Sequence, residues 1–173
     1  MEGQVRTGGG TSREEESSRV SSIMTPNVVR IPKCMSARAV MAMFLELGIS
    51  GAPVVDDDGK SLGMLTKTDL LQCVRARWEC GRPLPEEVDE VGQGSEDPCT
   101  AESLMTPLVF SLPEDAPVAC AAGLMATEGI HRVLVLDGDG TISGIVTSVD
   151  VARWLAEKEG FLRPRPGPPG RYR

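Results

Sequence analysis

Aromatic residues make up only 3% of this 173-residue chain, so any core it forms must be built from Val, Leu, Ile, Met and Ala. There is one histidine, and no two cysteines are spaced as C-x-x-C. The five cysteines, Cys34, Cys73, Cys80, Cys99 and Cys120, are odd in number and scattered. That excludes a disulfide framework and a zinc site, and several of them are expected as small buried hydrophobes. No apolar run reaches the length of a membrane span. The N-terminal MEGQVRTGGGTSREEESSR lacks the apolar region of a secretory signal. These absences predict a soluble chain in a reducing, cytoplasmic setting with no membrane partner. Basic charge is short as well. The formal net charge is −7, and four of the arginines fall in the last fourteen residues; the remaining 14 basic residues against 25 acidic ones leave −11. Such a body does not track nucleic-acid backbones, although a local basic spot can still hold one small anion.

What is present is a repeat. Residues 23–71 lie over 104–152 without a gap, and 14 of the 49 positions are identical, against roughly three expected by chance. IMTPNVVRIP faces LMTPLVFSLP, and GMLTKTD (63–69) returns 81 residues later as GIVTSVD (144–150). With 40% hydrophobic residues the chain is long enough for one compact domain or for two small units sharing a core.

Each copy reads as β-α-β-β-α. VVRI (28–31) and VFSL (109–112) are short strands that a proline ends. Ala37, Val40, Met41, Phe44 and Leu47 then recur at helical spacing. The matching helix runs from about Pro117 to Glu128, with Asp115 or a neighbour as its cap. Gly48 and Gly129 stop both helices. APVVD and VLVLD are strands, DDG and DGDG are hairpin turns, and SLGMLT and ISGIVT are return strands. TDLLQCVRARW and SVDVARWLAEKE form the last helices. The fold class is therefore α/β (α+β). One such unit leaves apolar sheet surface exposed, and two packed about a pseudo-twofold would bury it and create two equivalent clefts. The expected boundaries are a disordered stretch 1–19, a first unit 20–79, an acidic Pro/Gly-rich linker 80–99 with one helical turn near PEEVDEV, a second unit 100–160, and a disordered basic Pro-rich tail 161–173.

The order M-T-P-x-V, G-I-x-x-x-x-V-x-D, G-x-x-T-x-x-D, present twice, resembles the cystathionine-β-synthase (CBS) domain, and the tandem resembles a Bateman module. The resemblance covers residues 20–79 and 100–160. It implies a pair of α/β units with three-stranded sheets that commonly dimerise into a disc. It also implies regulatory binding of AMP, ADP, ATP or S-adenosylmethionine, and it brings no catalytic residues.

Two readings of T-x-x-D stand side by side. Thr66 with Asp69, and Thr147 with Asp150, form helix caps close to a capping box. The same carboxylates can accept from both hydroxyls of a ribose, with the threonine hydroxyl and the helix N-terminus beside them. The resemblance favours the second use. The resemblance implies an adenine slot drawn from Val28 and Val109 on the first strands and Ala52 and Val133 at the start of the second, positions that core packing explains better when each is taken alone. His131 and Arg132, in GIHR, resemble the phosphate-contacting segment of energy-sensing kinase regulatory subunits. Their counterparts are Ser50 and Gly51, neither basic, so the two sites are expected to be unequal. Lys67 is a partial substitute, and Arg30 and Lys33 are weaker candidates. Asp56, Asp58 and Asp137 suggest turn chemistry rather than metal binding.

The leading expectation is a stand-alone regulatory CBS pair, a homodimer that binds an adenine nucleotide, needs no cofactor and acts on an effector protein. The alternative is a ligand-free scaffold. An enzyme is disfavoured, because one histidine and no nucleophile–base pairing leave no catalytic constellation.

Overall fold

A computed structural model describes residues 18–80 and 99–163. The expected linker apart from Cys80 and Cys99, the helical turn near PEEVDEV, and nearly all of the two terminal segments lie outside the described residues. The described residues form two compact units, and these are not the two repeats taken end to end. Among the described residues, one gathers 18–27 with 110–163; the other takes those within Val28–Val109.

The first unit contains helix α1 (Val20–Ile23), strand β1 (Thr25–Pro26), strand β5 (Ser111–Pro113), helix α5 (Val118–Glu128), strands β6 (Arg132–Leu136) and β7 (Ile142–Thr147), and helix α6 (Ser148–Lys158). Its sheet runs β1-β7-β6-β5, with only β5 and β6 parallel. The second contains strand β2 (Ile31–Pro32), helix α2 (Ala37–Glu46), strands β3 (Gly51–Val55) and β4 (Ser61–Thr66), helix α3 (Lys67–Glu79) and helix α4 (Ala101–Leu104). Its sheet runs β2-β3-β4.

Each unit is completed by a segment from the other repeat. In one, Thr25 and Pro26 pair with Ile145 and Gly144. In the other, Thr106 exchanges two 2.9 Å backbone bonds with Met64. The entering helical turns are tied down in the same manner. Val20 donates to the Ala116 carbonyl and Ala101 to that of Met35, each at 2.8 Å. Val20 and Ala101 are fully buried in the cores that they enter.

The cores are aliphatic apart from Phe44. One is built on Ile31, Val40, Phe44, Val54 and Leu65; the other on Val20, Met125, Val133, Val135 and Val146. Of the cysteines only Cys73 is buried, whereas several were expected to be; Cys34, Cys80 and Cys120 are exposed and Cys99 is half-buried. Cys120, for instance, stands between Val118 and Ala121, which take the buried face of α5.

The first strands are shorter than the sequence suggests, and their prolines lie inside them. Pro32 and Pro113 sit on edge strands, where a missing N–H leaves no ladder bond unmade. Asp115 does not cap α5: Pro117 occupies the N-cap and no side chain bonds there. Gly48 and Gly129 do end their helices, with φ of 63° and 65°.

Candidate functional site

The two T-x-x-D corners sit where β4 runs into α3 and β7 into α6. Thr66 and Thr147 are extended N-cap residues, and both corners are full capping boxes. Thr66 donates its backbone N–H at 2.8 Å and its hydroxyl at 2.6 Å to Asp69 Oδ2. Thr147 gives Asp150 Oδ2 the same pair at 2.8 and 2.5 Å. Each hydroxyl in turn accepts from the aspartate N–H, at 3.4 and 3.3 Å. The local reading of the motif is thus realised in both copies. These donations from the threonines fall on Oδ2 of each aspartate.

The corners differ in burial. Asp150 is 4% exposed, while Asp69 is only half-buried.

Strand register brings the expected anion-binding positions to the same corners. Arg132 is the partner of Thr147, and the His131 carbonyl accepts from Ser148 N–H, the first helical residue of α6, at 3.0 Å. In the other copy Gly51 is the partner of Thr66, and the Ser50 carbonyl accepts from Lys67 N–H at 3.0 Å. His131 is exposed; Arg132 and Lys67 are half-buried. One corner therefore holds an arginine and a histidine where the other holds a glycine and a serine. Lys67, the first residue of α3, is the basic residue beside that second corner.

Ala52 and Val133 are each 1% exposed and belong to the cores. Val28 and Val109 are half-buried and lie ahead of β2 and β5 rather than within them. Val109 falls in the unit of Thr66 and Asp69, not in that of Thr147 and Asp150.

The remaining basic candidates are drawn toward the first hairpin. Lys33 donates to Asp57 Oδ2 at 2.8 Å. That hydrogen bond and the carboxylate charge raise the Lys33 pKa above its ordinary value. The pairing is complete below that ordinary value and is lost as pH rises through the raised one. The Arg30 guanidinium lies 3.7 Å from the position a Cβ would take at Gly59. The hairpin aspartates do turn chemistry. Asp56 Oδ1 accepts from Asp58 and Lys60 N–H, and Asp137 Oδ1 from Asp139 and Thr141 N–H. No group of three or more His, Cys, Asp or Glu side chains suited to a metal occurs among the described residues. Nor is any helix among them long and apolar enough to cross a membrane.

A repeat of two β-α-β-β-α copies, each closed by the other's M-T-P segment, can be compared with known folds. The CBS domain family matches residues 20–76 and 101–157. The chain belongs to the CBS domain family. An uncharacterized protein of Methanocaldococcus jannaschii is 30% identical over 155 residues, 87% of this chain and 35% of its own length. Inosine-5′-monophosphate dehydrogenase of Mycobacterium tuberculosis is 30% identical over 114 residues, 66% of this chain and 18% of the enzyme. The chain thus spans about a third or less of these curated relatives. A second uncharacterized M. jannaschii protein, 30% identical over 132 residues, is covered over 79% of its length.

Among solved structures, the CBS domain pair of a protein in complex with 5′-methylthioadenosine and S-adenosyl-L-methionine superposes with a TM-score of 0.64 at 25% identity. It covers 81% of this chain and 97% of that one. CBSX2 in complex with AMP gives 0.62 at 23%, covering 82% and 98%. The CBS domain of a bacterial CNNM/CorC family Mg2+ transporter in complex with ATP gives 0.64 at 23%, covering 83% and 91%. This CBS chain therefore has the fold of CBS pairs.

Proposed function

We propose that this CBS pair is a regulatory module that binds an adenosine-containing ligand (AMP, ADP, ATP or S-adenosylmethionine) and thereby modulates a partner protein. The observation that carries the reading is the corner formed by Arg132, Thr147, Asp150 and the N-terminus of α6. It gathers a cation, a hydroxyl, a carboxylate and a helix N-terminus at one end of the β6–β7 pair. A ribose needs the carboxylate, and an adjoining phosphate needs the cation and is favoured by the helix N-terminus. Complexes of similar CBS pairs with AMP, ATP and S-adenosyl-L-methionine support the ligand class.

In this reading Thr66, Asp69 and Lys67 form a weaker second site. Ala52 and Val133 border an adenine each at the corner of its own unit, through their backbone because their side chains are in the cores, and Val28 and Val109 are proposed for the unit of Thr66 and Asp69. No residue is assigned a catalytic or metal-binding role, and no cofactor is required. The chain acts as a cytoplasmic homodimer, away from nucleic acid and membranes, and its effector is another protein. A ligand changes that effector only through unequal affinity for two conformations.

The intact capping boxes favour one competing reading, a scaffold in which the aspartates serve the helices alone. Titration calorimetry with AMP, ATP, S-adenosylmethionine and NADH separates the two. Binding of at least one adenosine ligand, lost at one site in Asp150→Asn, supports the proposal. No heat and no thermal shift with any of them at millimolar concentration favours the scaffold.

A further inference from the structure

Cys73 and Cys99 are 26 positions apart in the chain, and their sulfurs lie 3.1 Å apart in the fold. Cys73 sits on α3, one turn beyond Asp69, and is buried. Cys99 immediately precedes Thr100, the N-cap of α4, and is half-buried. The Cys73 thiol donates toward Cys99 Sγ, and Arg77, one turn further along α3, brings Nη1 to 3.5 Å from the same sulfur. Cys99 Sγ is the acceptor in both contacts. An anionic sulfur there is met by a thiol hydrogen and a guanidinium N–H, and the thiolate is the reactive form of cysteine. At 3.1 Å the sulfurs are not bonded, and a disulfide bond of about 2.05 Å needs roughly 1 Å of further approach.

We propose that Cys73 and Cys99 form a reversible intramolecular disulfide with hydrogen peroxide as the oxidant, Cys99 reacting first and Cys73 resolving. The Cys99 thiolate attacks one peroxide oxygen and the O–O bond breaks. The hydroxide released takes up the thiol proton and leaves as water, and Cys99 becomes a sulfenic acid. Cys73 sulfur then attacks Cys99 sulfur, the S–S bond forms and the S–O bond breaks. The second hydroxide takes the Cys73 proton and leaves as water. Two thiols and one peroxide yield one disulfide and two waters, with two electrons passing from sulfur to oxygen.

The bond would tie α3, which begins at the Thr66–Asp69 corner, to the segment that carries Met105 and Thr106 against β4. Oxidation would thus lock the exchanged segment onto its unit. The disulfide does not depend on the corner taking a nucleotide.

The test is non-reducing peptide mapping of the full chain after stoichiometric peroxide. The expected product is a cross-linked pair of peptides containing Cys73 and Cys99, lighter by two hydrogens and released by dithiothreitol. Closing this loop should raise the melting temperature by about 5–10 °C in the wild type and not in Cys99→Ser, which spares the buried partner. Arg77→Met should slow the cross-link several-fold without changing stability under reducing conditions, and Arg77→Lys should restore much of the rate. A cross-link between other cysteines overturns the proposal. So does alkylation of both Cys73 and Cys99 at a peroxide dose that oxidises Cys34, Cys80 or Cys120. An unchanged rate in Arg77→Met removes the arginine from the mechanism.

Discussion

Met24 lies across Gly144, so close that a Cβ on the glycine would overlap the methionine Sδ and stand 2.7 Å from its Cγ. The same relation joins Met105 to Gly63, where the added atom would also fall 2.5 Å from the Thr106 carbonyl oxygen. The glycine that opens G-x-x-T-x-x-D is therefore the place where the methionine of M-T-P crosses, and each pair joins different repeats.

Gly144→Ala should destabilise the chain by about 1–3 kcal/mol, the usual cost of forcing an extra carbon into a packed site. Gly63→Ala should cost more, because its overlap includes a backbone atom held by paired bonds to Met64. Urea unfolding measures both. Met24→Ala combined with Gly144→Ala should recover part of the loss, with a coupling of about 0.5–3 kcal/mol. Strict additivity would show that the methionine is not what the glycine accommodates.

Asp150→Asn separates the helix cap from the ribose. The Asn carbonyl oxygen can accept from Thr147 N–H and hydroxyl, as Asp150 Oδ2 does. Stability should therefore fall by less than about 1 kcal/mol, whereas Asp150→Ala should cost about 1–3 kcal/mol. Ligand affinity should drop about ten-fold or more in both, as for a lost charged hydrogen bond. An Asn variant that binds like the wild type would sink the ribose assignment.

Arg132→Ala should weaken AMP more than adenosine, since only the phosphate meets the guanidinium in the proposed site. Calorimetric titration of the two ligands gives the comparison directly. Equal losses for both would assign Arg132 to packing at the start of β6. The mirror experiment, Gly51→Arg in the other corner, should strengthen AMP binding there relative to adenosine.

Two glycines of one helix should respond with opposite sign. Gly123 lies inside α5 with open space where a Cβ would be, so Gly123→Ala should stabilise by about 0.5–1 kcal/mol. Gly129 ends that helix at φ 65°, so Gly129→Ala should destabilise by about 1 kcal/mol despite equally open space. Thermal unfolding of both variants distinguishes backbone conformation from packing as the cause.

Local features were legible in residue order because their causes are local. Ala37, Val40 and Phe44 recur at helical spacing and are the buried face of α2. Thr66 and Thr147 cap helices through residues three positions away, so the capping boxes follow from four letters of sequence. The hairpin turns follow in the same way from Asp56 and Asp137. Neither Asp115 nor a neighbour caps α5 with a side chain, because Pro117 takes the N-cap rather than the first turn and has no acceptor to offer. Hydrophobicity alone does not say where a cysteine stands: Cys120 takes the outer face of α5, Cys34 falls in the turn after β2, and Cys80 is the C-cap of α3.

By itself, the sequence determined two copies of one β-α-β-β-α unit, an aliphatic core, and the chemistry available at each strand-to-helix corner. Periodicity, turn residues and caps act over a few positions, and repetition doubles the signal. Only the tertiary structure decided that Val20 and Thr25 complete the second repeat, that Ala101 and Thr106 complete the first, and that Cys73 meets Cys99. Those contacts join segments far apart in the chain, and burial of a shared aliphatic surface selects them. M-T-P and G-x-x-T-x-x-D carry no mark of which copy pairs with which; the packing of Met24 on Gly144 and of Met105 on Gly63 does.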